Sequence, residues 1–206
     1  MPALPRPSSF RATLPLLIAA AAALAAGDPE PSPYAGQESR AIKSLSAEDI
    51  EALESGSGVA FGGMAKAAEL NGYPGPRHVL ELAEELELTP RQRAETERLY
   101  AEMKALAVAL GRRVLEQERA LDDAFRRRSI DAATLSELVR SAAELQGSLR
   151  ALHLSYHLKM AASLAPGQIA SYNQLRGYAG GDPCTQVPAG HDPDMWRRHH
   201  GCRATE

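Results

Sequence analysis

Five of the six histidines of this 206-residue chain fall in two groups. His153 and His157 sit in the stretch LHLSYHLKM, Leu152 to Met160. On a helix, an i, i+4 spacing puts both imidazoles on one face, close enough to share one metal ion. Met160 follows three residues later, and its thioether suits a soft metal. The second group lies near the C-terminus: Cys184, His191, His199, His200 and Cys202. The separation of its cysteines fits no compact zinc finger. A disulfide between Cys184 and Cys202 is the expected use, leaving the histidines as a loose metal-scavenging tail or as solvated polar groups.

Those residues need elements to position them. LTPRQ, Leu88 to Gln92, and LAPGQ, Leu164 to Gln168, share the frame L-x-P-x-Q. In the first, Thr89 is an N-cap, Pro90 stands at N1, and Gln92 at N3 completes a capping box. Leu88 precedes the cap as a hydrophobic staple. The second copy keeps Pro166 and Gln168, but Ala165 has no capping oxygen. Between the copies, apolar residues recur in steps of three and four. One stripe runs through Thr96, Leu99, Met103, Leu106, Leu110, Val114 and Leu121. The other runs through Leu135, Leu138, Ala142, Leu145, Leu149, Leu152 and Tyr156. Arg126 to Asp131 interrupts them, with Ser129 or Asp131 as the cap of the second helix. The pattern predicts an all-α antiparallel hairpin of two long helices, each with a narrow apolar stripe. Two helices bury too little alone, so short N-terminal helices or a partner subunit must add a layer.

With the turn near Ser129, residues whose numbers sum to about 258 face each other across the hairpin. His157 then lies opposite Ala101, which makes Glu102 the nearest carboxylate and Glu95 a poorer one. His78, on a short helix opened by Pro76, folds back over the same end. The predicted ligand set is therefore His153, His157, His78 and Glu102, for zinc, nickel, cobalt or copper. The plain alternative is a solvated histidine pair beside a packed methionine.

Outside the hairpin, residues 1–25 have the layout of a secretory signal: Arg6 and Arg11, an apolar run from Leu14 to Ala26, and a small-x-small site at Ala23 to Ala25. An uncleaved N-terminal membrane anchor is the other possibility for that run. Cleavage would take the net charge from −3 to −5 with the loss of the two arginines. Residues 26–75 form a Pro- and Gly-rich linker with short helices, one capped by Ser46. Residues 76–178 form the hairpin, and 179–206 an irregular tail. Negative charge and export argue against nucleic acid. No G-x-S-x-G, phosphate loop or HExxH supports an enzyme.

The signal-like start, the hairpin and the paired motifs (LTPRQ matching well, LAPGQ in part) resemble the Spy/CpxP family of periplasmic stress proteins, over roughly Pro76 to Tyr178. That family includes the zinc-resistance-associated protein and has periplasmic heavy-metal-sensor relatives. The resemblance implies a hooked four-helix fold, homodimerisation, periplasmic location and no enzymatic activity. It also implies one of two roles. The first is a metal-binding or metal-responsive stress protein, acting as a buffer or through a membrane-bound regulatory partner. The second is an ATP-independent holdase for unfolded proteins, with Arg112, Arg113 and Arg126 to Arg128 as charged rims.

Overall fold

The computed structural model describes residues 31–178, 184, 187, 192–199, 201 and 202. Residues 31–36 belong to a unit distinct from the one that begins at Gln37, and form a turn closed by Ala35 N–H on the Ser32 carbonyl. From Gln37 onward the described residues contain helices and no strand. In order these are α1 (Ala47–Ser55), α2 (Lys66–Glu69), α3 (Pro76–Glu81), α4 (Pro90–Arg126), α5 (Ala132–Ser163), α6 (Pro166–Leu175) and α7 (Pro193–His199).

The all-α hairpin holds: α4 and α5 run antiparallel, with their turn at residues 127–131. Arg128 takes a left-handed backbone there (φ 52°), and the Asp131 carboxylate caps α5 by accepting from Thr134 N–H at 2.7 Å. The missing layer comes from the N-terminal segment. α1 and α3 pack on α4, and α2 and α3 reach α5. α1 lies so close to α4 that a Cβ added at Gly111 would stand 2.1 Å from the Leu53 carbonyl oxygen. Glycine is thus the residue that permits this contact. The core divides in two along the hairpin. Ile42, Leu53, Val114, Leu115 and Leu149 fill the part toward the turn, while Val79, Leu99, Met160 and Tyr172 fill the open end.

Three details differ from the sequence pattern. Leu106 is exposed and Ala107 is buried in its stead, because α1 approaches α4 so closely that the small side chain fits there, and Leu135, in the first turn of α5, is exposed as well. Met160 is fully buried against Leu99 and Tyr172 and is a packing residue. The tail is not wholly irregular: Pro193 to His199 form α7, which Asp192 caps by accepting from Met195 N–H at 2.7 Å. Local capping chemistry there outweighs a Pro- and Gly-rich composition.

The repeated L-x-P-x-Q frame has a tertiary role beyond helix initiation. Thr89 caps α4 and Gln92 completes the box, as Thr89 and Gln92 exchange backbone and side-chain bonds of 3.1 and 3.2 Å. Gln168 makes the matching half-box by accepting from Ala165 N–H at 2.9 Å. The two glutamine amides then pair with each other. Gln92 Nε2 donates to Gln168 Oε1 at 2.8 Å, and Gln168 Nε2 donates to Gln92 Oε1 at 3.2 Å. The remaining donors go to the Ser163 and Leu86 carbonyls. Both donors and both lone pairs of each amide are used. Leu164 is buried and Leu88 packs against the same core, so the clasp has a dry side.

Candidate functional site

The loop between α1 and α3 folds over α4 and α5 and leaves a cleft of about 430 Å3. Its floor carries His153 and His157 from α5, with Met103 from α4 beside them. Both imidazoles are buried, at 3% and 7% exposure. They reach the cleft because backbone without side chains covers them. A Cβ added at Gly75 would meet the His157 ring at 2.7 Å, and one at Gly58 would meet the His153 ring at 3.3 Å.

His157 has a defined tautomer. Its Nδ1 lies 2.7 Å from the Tyr73 carbonyl oxygen, which only accepts, so Nδ1 carries a proton, and in the neutral ring Nε2 holds the lone pair. A backbone carbonyl behind one ring nitrogen is the usual way of orienting a metal-binding imidazole. His153 has no such partner, and its buried Nε2 makes no hydrogen bond. Burial, with a lesser contribution from the neighbouring His157, pushes its pKa down to about 4. At neutral pH it is therefore an uncharged ligand-type imidazole.

The carboxylate beside this pair is Glu69, the last residue of α2, which sequence reasoning did not select. It is buried at 8% exposure. Its Oε1 accepts from Tyr172 O–H, from His78 Nδ1 at 3.1 Å and from Tyr178 O–H at 3.4 Å, while Arg176 Nε lies 3.5 Å away as an ion-pair contact without a hydrogen bond. Burial pushes the carboxyl up, but the hydrogen bonds from His78 and Tyr172 outweigh it and hold the pKa below the usual range. Burial and the adjacent carboxylate in turn raise Tyr172, which stays a donor. All these bonds crowd Oε1. The other oxygen, Oε2, lies 3.6 Å from His157 Nδ1 and makes no hydrogen bond.

The predicted ligands are thus brought together in part. His153 and His157 share the cleft. His78 lines it too, but its Nδ1 is engaged by Glu69. Glu102 is exposed on the outer surface of α4, bound by Arg98 at 2.5 Å and touched by Tyr156 O–H at 3.4 Å. The register across the hairpin placed Glu102 correctly beside Tyr156. Its carboxylate points out because Arg98, one turn back, holds it there. Among the described residues no three His, Cys, Asp or Glu side chains converge as a ready-made cage. In the tail, Cys184 and Cys202 are joined by a disulfide, with Cα atoms 5.4 Å apart. His199 is the last residue of α7, and His191 and His200 lie outside the described residues.

Residues 76–176 match the model described as LTXXQ motif family protein. That segment spans α3 to α6 and contains both L-x-P-x-Q frames. It belongs to the LTXXQ motif family. This is the Spy/CpxP-type motif, and the family is of the periplasmic stress-protein kind, whose members are not known as enzymes. No curated protein and no solved structure matches the chain. Glu69 lies outside the LTXXQ segment, whereas His78, His153 and His157 lie within it. No helix among the described residues is long and apolar enough to cross a membrane.

Proposed function

We propose that this LTXXQ-family chain is an exported, periplasmic metal-binding stress protein, and that its metal is held in the cleft between α2 and α5. The observation that carries this is a pair of buried atoms without hydrogen-bond partners, His153 Nε2 and Glu69 Oε2, on residues that line one cleft together with His157. Buried polar atoms are normally satisfied, and each orphan costs about 1–3 kcal/mol. A divalent transition ion is the partner that neutral imidazoles and a carboxylate suit together. His153 and His157 would supply the protein's ligands, with Glu69 the nearest carboxylate and solvent completing the coordination, while the Tyr73 carbonyl orients His157 and His78 and Tyr172 orient Glu69. Zinc, copper, nickel and cobalt all accept this donor set, so the choice of metal is a matter for titration.

Calorimetric titration of the protein with these four ions tests the proposal. One ion per chain should bind at the cleft, and His153→Ala with His157→Ala should weaken that binding about a hundredfold. Unchanged affinity and stoichiometry in the double variant would refute it.

The holdase role draws on different residues: Leu106, Phe125, Leu135 and Val139 are large apolar side chains exposed on α4 and α5. It predicts suppressed aggregation of a reduced, unfolding client at near-stoichiometric ratios without metal. Absence of suppression removes it.

A further inference from the structure

The rim of the cleft differs from its floor. The floor is buried and holds His153, His157 and Glu69, whereas Val59, Lys66, Leu70 and Lys104 line the cleft while exposed to solvent. Neither lysine has an acidic partner within ion-pair distance among the described residues. The other two cations of the lining are engaged: Arg77 pairs with Glu81 at 2.9 Å, and Arg176 lies beside Glu69 and donates to Tyr178. Glu69 is the one acidic side chain among the described residues of the lining. It does not offset the lysines, because hydrogen bonds from Tyr172, His78 and Tyr178 already meet its charge at the floor. Two ammonium groups therefore line the mouth without a counter-charge. Apolar surface stands beside them. Val59 and Leu70 are 65% and 57% exposed, and Tyr100 and Met103 of α4 continue the apolar wall inward. Exposed apolar side chains gathered at a cleft mark a binding groove. The volume of about 430 Å3 falls within the roughly 300–1,000 Å3 of ordinary small-molecule sites.

We infer that the mouth of the cleft binds a small organic carboxylate with an apolar body. Lys66 and Lys104 meet the carboxylate by charge-assisted hydrogen bonds. The body lies against Val59, Leu70, Tyr100 and Met103 and removes their apolar surface from water. Both halves are needed: exposed ammonium groups hold a bare anion weakly, and apolar walls alone do not select charge. This ligand requires no metal and draws on other residues than the imidazoles, so it and the metal proposed above can each fail without the other.

Calorimetric titration of the full chain with octanoate, in metal-free buffer at neutral pH, tests this against two partial ligands. Acetate has the charge without the body, and 1-octanol has the body without the charge. Expected is one octanoate per chain, with acetate more than about a hundredfold weaker and 1-octanol about tenfold weaker. Lys66→Ala with Lys104→Ala should lower octanoate affinity about tenfold, to the level of 1-octanol, and leave 1-octanol unaffected. Both lysines are exposed, so the variant keeps the fold. Octanoate bound no more tightly than 1-octanol would leave the lysines without a role. Acetate bound as tightly as octanoate would leave the apolar wall without one. Unchanged octanoate affinity in the double variant would place binding elsewhere. Each of these overturns the inference, as does failure to bind octanoate at all, and none of them alters the outcome expected of the zinc titration.

Discussion

The glutamine clasp and the histidine cleft lie toward the same open end of the hairpin and are both built from polar side chains that touch across the chain, yet their hydrogen-bond accounts differ. In the clasp, Gln92 and Gln168 spend every donor and lone pair on each other, on their own helix starts, and on the Ser163 and Leu86 carbonyls. In the cleft, His153 Nε2 and Glu69 Oε2 are buried with nothing to bond. A closed network serves the fold, since removing a member strands its partners. An open one is a cost to the fold that a ligand can repay. The two regions should therefore respond oppositely to mutation.

The largest effect is expected in the clasp. Gln92→Leu keeps the volume but leaves the Gln168 amide and the Ser163 carbonyl half-buried without their partner. It should destabilise the protein by about 2–4 kcal/mol in urea unfolding. Gln168→Leu added to it should cost much less than its single effect, because the two amides act as one unit. Additive losses would show that the amides do not cooperate.

The cleft should give acid sensitivity of nearly that size. The His153 pKa of about 4 lies below the ordinary 6.5, so between those values the unfolded chain binds more protons than the folded one. Stability is then complete above about pH 6.5 and falls as pH drops toward 4, by up to about 3 kcal/mol. Glu69, also lowered, adds a loss of the same sign below about pH 4.5. Unfolding midpoints followed across this range in the wild type and in His153→Leu should differ, with the variant losing the upper part of the slope. Parallel curves would mean that His153 is not the titrating group.

The smallest effect separates the two carboxylates. Glu102→Gln removes one exposed partner of Arg98, which keeps Glu95 at 2.6 Å, and should change stability by less than about 0.5 kcal/mol. It should leave metal affinity unaltered, whereas Glu69→Gln should reduce it. The reverse ranking would restore Glu102 as the ligand.

The difference between the two regions also explains what could be read from sequence. The hairpin was legible because its signals are local: a Thr-Pro-x-Gln start, an Asp cap and apolar residues in steps of three and four. The His153 and His157 pair was legible for the same reason, since i, i+4 is a helical neighbour relation. Glu69 was not. It ends a four-residue helix in a segment of Gly and Pro turns with no periodicity, and only the return of that segment over α5 places it beside His157. Register arithmetic along two helices sees only the carboxylates on those helices, and so selects Glu102. The clasp was hidden differently. Capping accounts for each glutamine locally, and nothing in a local account reports that the two amides meet.

The central claim is that the buried imidazole of His153 is kept for a ligand and not for the fold. Unfolding stability and zinc affinity measured side by side in His153→Leu test it most directly. Leucine removes the orphaned nitrogen while filling much of the same space. The account predicts stability at neutral pH unchanged or raised by about 1 kcal/mol, together with loss of zinc binding at the cleft. A variant that unfolds more easily and binds zinc as the wild type does would contradict it.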